Sequence, residues 1–315
     1  MAFDPTELIR GMDPASLRVH APSCVVFLCG GAINPGLAKP EVLRDAFLRA
    51  AKVSAPSYKI ILAEDAKPLV SDAGYDNLFR FESDIAQVVG QILLFVESPG
   101  SLAELGAFAA LETVSPRLLV VLDEYHYNQS SFVKQGPLRY LEIKQGEESI
   151  VALDRAYVGI DADGRIGGLN IANFAATVLP ALDKRLGELV KFEKFEPGRA
   201  GHAILLLVGL CQELGALTQS EIREFLRSFG VSDLRFNNFV YCAELLQWIR
   251  KIRKGNNIYY VAEQPREAAL DYQFQKNVIQ KDKLRWRSDI RTHWQKSDTA
   301  RFNAIRDVTV ASVSA

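Results

Sequence analysis

The chain has 315 residues, room for two domains at roughly 150 residues each, and its 48% apolar and 24% charged content excludes a wholly disordered chain. A net charge of −1 excludes a generic polycation, yet the balance is uneven. From Gly201 onward 17 Lys and Arg stand against 12 Asp and Glu, whereas the first 200 residues carry 20 against 26, which points to a polyanionic partner for the C-terminal part.

Residues 1–21 read as a short helix and a loop. Residues 23–29 (SCVVFLC) form a short apolar run ended by Gly30-Gly31, which predicts a strand buried on both faces. A helix follows over 40–52, with Leu43, Phe47 and Ala50 on one face. Residues 58–63 are the second strand, 78–89 a helix, 91–96 the third strand, 101–113 a helix and 118–122 the fourth strand. Strands alternating with helices of about 10 to 15 residues predict an α/β fold, a parallel sheet flanked by helices. Asp161 to Gly164 read as a turn, residues 169–190 as an amphipathic helix kinked at Pro180, and 191–199, with Pro197-Gly198, as a linker. Beyond it, 203–214 is a helix, Thr218 and Glu221 make a capping box for a second helix ending at Ser228, and 234–251 is a third. A turn over 254–257 leads into a strand over 258–261, the layout of a winged helix-turn-helix. Residues 281–291 predict a charged helix. The expected division is a catalytic domain over 1–195 and a winged-helix-like domain that binds nucleic acid or another partner over 196–315.

Cys24, Cys29, Cys211 and Cys242 form no CxxC pair and no cluster with zinc spacing, so a reduced cytoplasmic protein without a metal is expected. The opening MAFDPTELIRGMDP lacks a basic stretch followed by an apolar core, so no signal peptide is expected. No apolar run approaches the roughly 20 residues that span a bilayer.

Ligands of parallel α/β sheets bind beyond the carboxyl ends of the strands. Those loops here are Gly30-Gly31, Glu64-Asp65, residues 97–101 and Asp123-Glu124, and three of the four carry carboxylates. The third is followed by a helix expected to begin at Ser101, which puts Glu104 in its first turn. Helix amides there can hold a phosphate or a sugar oxygen, and the carboxylate can attack an anomeric carbon. An ordinary reading stands beside this one: Ser101 and Glu104 also have the spacing of a capping box. Gly30-Gly31 also suits a plain tight turn, and Asp65 or Asp123 a loop or cap carboxylate. As a second carboxyl group to serve as general acid beside Glu104, Asp65, Glu82 and Asp123 are candidates, Asp65 first because it ends a strand. Glu82 suits an exposed helix position equally well. Gly30, Gly31 and the amides of Gly100 and Ser101 would hold sugar hydroxyls or a phosphate.

The run from Phe95 to Phe108, FVESPGSLAELGAF, resembles the catalytic strand-loop-helix of nucleoside 2-deoxyribosyltransferases, whose pattern is Asp-x-Gly-Thr-x-x-Glu-Leu-Gly. Gly100, Ser101, Glu104, Leu105 and Gly106 fall on matching positions, with Ser101 replacing threonine. The resemblance implies that Glu104 is the nucleophile that takes the sugar. The family's aspartate falls on Ser98, with Glu97 beside it. Either Glu97 has taken over sugar contact or the substrate differs from a plain deoxynucleoside. The chain is also similar to deoxyribosyltransferase-like effectors of bacterial retrons. The matching blocks are Phe27 to Gly31, Glu64-Asp65, Glu97 to Phe108, and Ser131, Phe132, Gly136, Pro137 and Arg139, all within about the first 140 residues. That resemblance implies a Rossmann-like, nucleoside deoxyribosyltransferase-like catalytic domain, NAD or a nucleotide as substrate rather than cofactor, and a toxin in antiphage defence. It further implies a reverse transcriptase and its multicopy single-stranded DNA as partners, and a homodimer or larger assembly.

Arg250, Lys251, Arg253 and Lys254 cluster near Trp248, Tyr259 and Tyr260, which suits phosphate contacts and base stacking. The alternative is a solvated face over a core that uses those aromatics. Two other functions compete with the toxic glycosidase: a housekeeping deoxyribosyltransferase, which leaves the C-terminal part without a task, and a non-enzymatic, nucleotide-sensing transcription regulator.

Overall fold

The computed structural model describes residues 4–20, 24–55, 57–65, 74–188, 192–263, 267–276 and 282–313. The expected boundaries at residues 21, 23, 190, 191 and 281 lie outside them. In chain order the elements begin with α1 (Thr6–Gly11), β1 (Arg18–Val19), β2 (Val25–Cys29), α2 (Leu43–Ser54), β3 (Lys59–Leu62), α3 (Leu78–Ala86), β4 (Gln91–Phe95) and α4 (Pro99–Ala110). They continue with β5 (Leu118–Asp123), α5 (Glu124–Asn128), a π turn (Lys134–Leu138), α6 (Arg139–Gln145), β6 (Ile150–Leu153), α7 (Arg155–Val158), α8 (Ile171–Gly187) and β7 (Glu193–Lys194). The last are α9 (Ala200–Leu214), β8 (Ala216–Thr218), α10 (Gln219–Ser228), α11 (Phe236–Leu245), β9 (Ile249–Lys254), β10 (Asn257–Ala262), β11 (Leu270–Asp271), α12 (Lys283–Ser297) and α13 (Thr299–Val313).

Two compact units emerge. One comprises Ser23–Pro68 and Ile85–Leu189; the other comprises Met1–Pro22, Leu69–Asp84 and Val190–Ala315. Two stretches of the N-terminal half thus group with the C-terminal part, a partition that periodicity does not display.

The first unit is built on a five-stranded parallel sheet in the order β3-β2-β4-β5-β6. Every position of β2, β4 and β5 is buried, as expected of strands covered on both faces. On one face Val26, Leu28, Leu93, Phe95, Leu119 and Val121 pack with Phe47 of α2 and with Phe174 and Val178 of α8. The fifth strand, β6, has no counterpart among the expected elements, because four residues carry too short a periodic pattern. The helix expected to kink at Pro180 runs from Ile171 to Gly187 as one element. The chain enters the sheet at β2, steps out to β3 and returns to β4 on the other side. The order therefore reverses between β2 and β4, where such sheets open a crevice at their carboxyl ends.

In the other unit α9, β8, α10, α11, β9 and β10 follow one another, with an antiparallel sheet ordered β8-β10-β9. Thr218 and Glu221 form the expected capping box, the Thr218 amide donating to Glu221 Oε2 at 2.7 Å. The third helix stops at Leu245 instead of reaching residue 251. Gln247 turns the chain with φ of +54°, and Ile249–Lys254 becomes a strand in which a pair of basic residues follows each of Ile249 and Ile252. A separate sheet joins β11, β1 and β7, so the expected linker contains a paired strand. The charged helix is α12.

Candidate active site

α4 decides how Glu104 is to be read. The helix starts at Pro99, two residues earlier than expected, with Ser98 as its N-cap. The Ser101 amide donates to Ser98 Oγ at 3.2 Å, while Ser101 Oγ accepts from the amides of Glu97 at 3.0 Å and Ser98 at 2.9 Å. The capping box is therefore Ser98 with Ser101, and the pairing of Ser101 with Glu104 does not form. Glu104 sits in the second turn, not the first. It is half-buried, its Oε2 is enclosed from solvent, and its charge is felt by Arg44. Ser101 is itself buried, so its hydroxyl and amide serve the cap, whereas Gly100 is exposed.

Glu97, at the end of β4, spans the sheet's switch point. Its Oε1 accepts from the amides of Gly31 (3.2 Å) and Arg44 (3.0 Å), and its Oε2 from the amide of Leu43 (2.6 Å). It thereby caps α2 from outside that helix and ties the loop after β2 to the loop after β4. Burial raises the pKa of its carboxyl, against the opposing pull of those amides and the Arg44 charge. Gly30 adopts φ of +141°, and a Cβ there would lie 2.9 Å from Cβ of Phe95, so only glycine fits this approach. Gly31 is buried, and both its backbone groups are used, the amide by Glu97 and the carbonyl by Arg44.

Arg44 is the residue that the sequence reading missed. It is 1% exposed and lies on the face of α2 that also carries Phe47 and Ala51. Its Nη1 donates to Glu64 Oε1 (2.6 Å) and Gly31 O (3.2 Å), and its Nη2 to Glu64 Oε2 (2.6 Å) and Leu28 O (2.7 Å). Burial opposes its charge, but Glu64, Cys29 and Glu104 outweigh that and raise its pKa. A charge recurring at helical spacing on an otherwise apolar face was the available signal.

The other expected residues fall as follows. Glu64 holds Arg44 and keeps a side chain 40% exposed. Asp65 is exposed, and one of its oxygens accepts from the amide of Leu62 at 3.0 Å. Asp123 caps α5 through the Tyr125 amide and is gripped by Arg155, with Nε to carboxylate distances of 2.8 and 2.9 Å. Glu82 is buried in α3, in the unit containing Leu69–Asp84 and not in the unit of Glu104. The exposed-helix reading of Glu82 is thereby overturned. Ser131, Phe132, Gly136, Pro137 and Arg139 surround the π turn, a distortion that is frequent at functional sites. There Lys134, Arg139 and Tyr127 converge on the carboxylate of Glu142.

On the hairpin of β9 and β10, Arg250 pairs with Glu263, Lys251 with Glu244 and Lys254 with Asp307. Arg253 is exposed and has no ion pair among the described residues. Trp248, Tyr259 and Tyr260 are buried, so their rings belong to the core and are not offered for stacking. α11 is covered as well. Tyr75 donates to Asp84 Oδ2 at 2.8 Å, Arg235 pairs with Asp84, and Tyr75 and Phe81 meet Tyr241 edge-on. Of residues 236–243 only Asn237 is exposed.

Among the described residues no group of three or more His, Cys, Asp or Glu could hold a metal ion, and no helix is long and apolar enough to cross a membrane.

The sequence matches the family described as "STM3845 retron effector protein" over residues 40–251. It is 26% identical over 242 residues to the Escherichia coli protein named "Retron Ec73 putative ribosyltransferase/DNA-binding protein", covering 75% of this chain and 76% of that one. It is 32% identical over 117 residues to the retron Ec86 protein of the same organism and description, covering 37% of this chain and 36% of the relative.

Proposed function

Because the chain belongs to the STM3845 retron effector family, we propose that it is the toxic N-glycosidase of a retron antiphage system, acting on NAD or on nucleotides or nucleosides through Glu104. In this reading the sheet unit is a nucleoside deoxyribosyltransferase-like enzyme. The observation that carries it is the division of labour in α4: Ser98 and Ser101 cap the helix, so a capping role does not account for Glu104, whose carboxylate shares a field with the buried Arg44.

Chemically, a Glu104 oxygen bonds to C1′ while the C1′–N bond breaks and its electron pair leaves with the base. Asp65, the exposed carboxyl at the strand end, gives a departing purine or pyrimidine its proton, whereas the nicotinamide of NAD leaves already neutral and takes none; Asp123 is committed to Arg155. Water then attacks C1′, passes its proton to the Asp65 carboxylate and frees Glu104 as its bond to C1′ breaks. The product is the sugar with a hydroxyl at C1′ plus free base, and no metal or redox cofactor enters the balance.

The second unit is read as a winged-helix-like module. Its succession of helix, strand, two helices and a basic hairpin supports this, as does the DNA-binding part of the relatives' names. Its partners in this reading are the retron's reverse transcriptase and multicopy single-stranded DNA, in the cytoplasm, with the effector as a homodimer or larger assembly. The test incubates the purified protein and Glu104→Gln with NAD and a panel of nucleotides and deoxynucleosides, following free base by chromatography. Base released by wild type alone supports the reading. Equal release by the variant, or none from either with the reverse transcriptase and its DNA removed, sinks it.

A further inference from the structure

We infer that Arg44 is a positioning residue that holds Glu64 as the acceptor for ribose hydroxyls, so that the site prefers ribosyl over 2-deoxyribosyl donors. This rests on the glycosidase reading and names its substrate class more narrowly.

Arg44 has no business in a core on stability grounds alone. A buried ion pair is often no more stabilising than apolar side chains of similar volume, and this position shares a helix face with Phe47 and Ala51. What an apolar residue could not do is set the plane of a carboxylate. The guanidinium fork bonds both Glu64 oxygens at 2.6 Å, the bidentate geometry that fixes direction as well as distance. The fork is held in place because its second Nη1 and Nη2 protons are bonded to Gly31 O and Leu28 O, main-chain groups at the end of β2. Packing adds to this, since a Cβ on Gly30 would come within 3.3 Å of Arg44 Cδ.

Glu64 is thus presented half-exposed at the carboxyl edge of the sheet, its charge matched by a buried cation. A carboxylate in that state accepts hydrogen bonds and donates none. It suits hydroxyl donors, and a ribose offers two on adjacent carbons where a 2-deoxyribose offers one. The same cation senses Glu104, so sugar acceptor and nucleophile answer to one fixed charge.

The experiment uses Glu104→Gln protein, which should bind without turnover, titrated calorimetrically with NAD, AMP and 2′-deoxy-AMP. AMP should bind roughly ten- to a hundredfold more tightly than its 2′-deoxy twin, the factor carried by one hydrogen bond to a charged group. Adding Glu64→Gln, which leaves the buried fork in place, should reduce that ratio to about twofold and weaken NAD; adding Arg44→Lys should do the same by removing the fork. A merely structural pair would alter thermal unfolding and leave the ratio untouched. A ratio that survives Glu64→Gln, or one near unity at the start, overturns the inference while base release by wild type keeps the glycosidase. Discriminating binding without base release overturns the glycosidase and keeps the acceptor. Absence of saturable binding by any of the three probes overturns the inference outright.

Discussion

At the carboxyl edge of the parallel sheet a single buried cation, Arg44, serves Glu64 and two main-chain carbonyls at once. On the hairpin of β9 and β10, by contrast, Arg250, Lys251 and Lys254 are at least partly exposed and each meets an acid of its own. The two regions contain similar residue types, and a local count of charge does not separate them. What differs is preorganisation. A buried, multiply bonded guanidinium fixes its partners in place, whereas exposed pairs exchange with water and contribute roughly 0–1 kcal/mol each. In the proposed function, chemistry requiring a fixed geometry falls to the first region and adaptable contact with a polyanion to the second.

The largest expected effect is on the edge of the sheet. Glu104→Gln should lower base release by about 1,000-fold or more, the scale on which loss of a nucleophile is felt, with little change in thermal unfolding. A loss under about tenfold would break the comparison, because the fixed charge of Arg44 would then serve no reacting group. Next in size, Arg44→Ala should cost roughly 3–5 kcal/mol of stability, since it strands Glu64 and leaves two buried carbonyls without their donor. Chemical denaturation would read this. A cost below about 1 kcal/mol would place Arg44 with the surface pairs.

The hairpin should respond in the opposite manner. Alanine at Arg250, Lys251, Arg253 or Lys254 should shift stability by less than about 1 kcal/mol. If the hairpin binds nucleic acid, each change should weaken binding to single-stranded DNA and lower the slope of log affinity against log salt by about one. Fluorescence anisotropy at several salt concentrations measures both. Arg253 should have the largest effect, because among the described residues it has no ion pair to give up on reaching a phosphate. Unchanged slopes in all four would remove the hairpin as the contact surface, leaving other basic faces such as α12.

Much of the sheet was legible because strands buried on both faces write themselves as unbroken apolar runs, as β2, β4 and β5 do. The fifth strand was not, since β6 is short and only one of its four residues is fully buried. Glu104 was legible as a residue, but its role was not. Two serines lie within reach of the helix start, and only the fold tells which one caps it. Ser98 could be recognised in retrospect, because Pro99 suits the first helical position and so points to the residue before it. Arg44 was written into the pattern as a charge sharing a face with Phe47, although nothing local revealed that Glu64, twenty residues on, completes it. The end of α11 failed for a different reason. Residues 246–251 hold good helix formers, and the left-handed turn at Gln247 is a tertiary outcome that overrides propensity.

The smallest expected effect distinguishes the two units by the sign of their response to pH. Glu142, beside the π turn, is partly buried, which would raise its pKa, but the bonds from Lys134, Tyr127 and Arg139 prevail and lower it from 4.5. Its contribution to stability is therefore present above that value and is lost as pH falls through the lower, folded one. Asp84, beside α11, runs the other way. Burial raises its pKa from 3.8 despite Arg235 and Tyr75, so its contribution is complete below 3.8 and is lost as pH rises through the folded value. Amide hydrogen exchange can follow each neighbourhood separately, in α6 for Glu142→Gln and in α11 for Asp84→Asn. Between about pH 7 and about pH 4 the protection lost in Glu142→Gln relative to wild type should shrink, and that lost in Asp84→Asn should grow. A shift of both in one direction would mean that burial, and not the partners around each carboxyl, governs charge throughout the molecule.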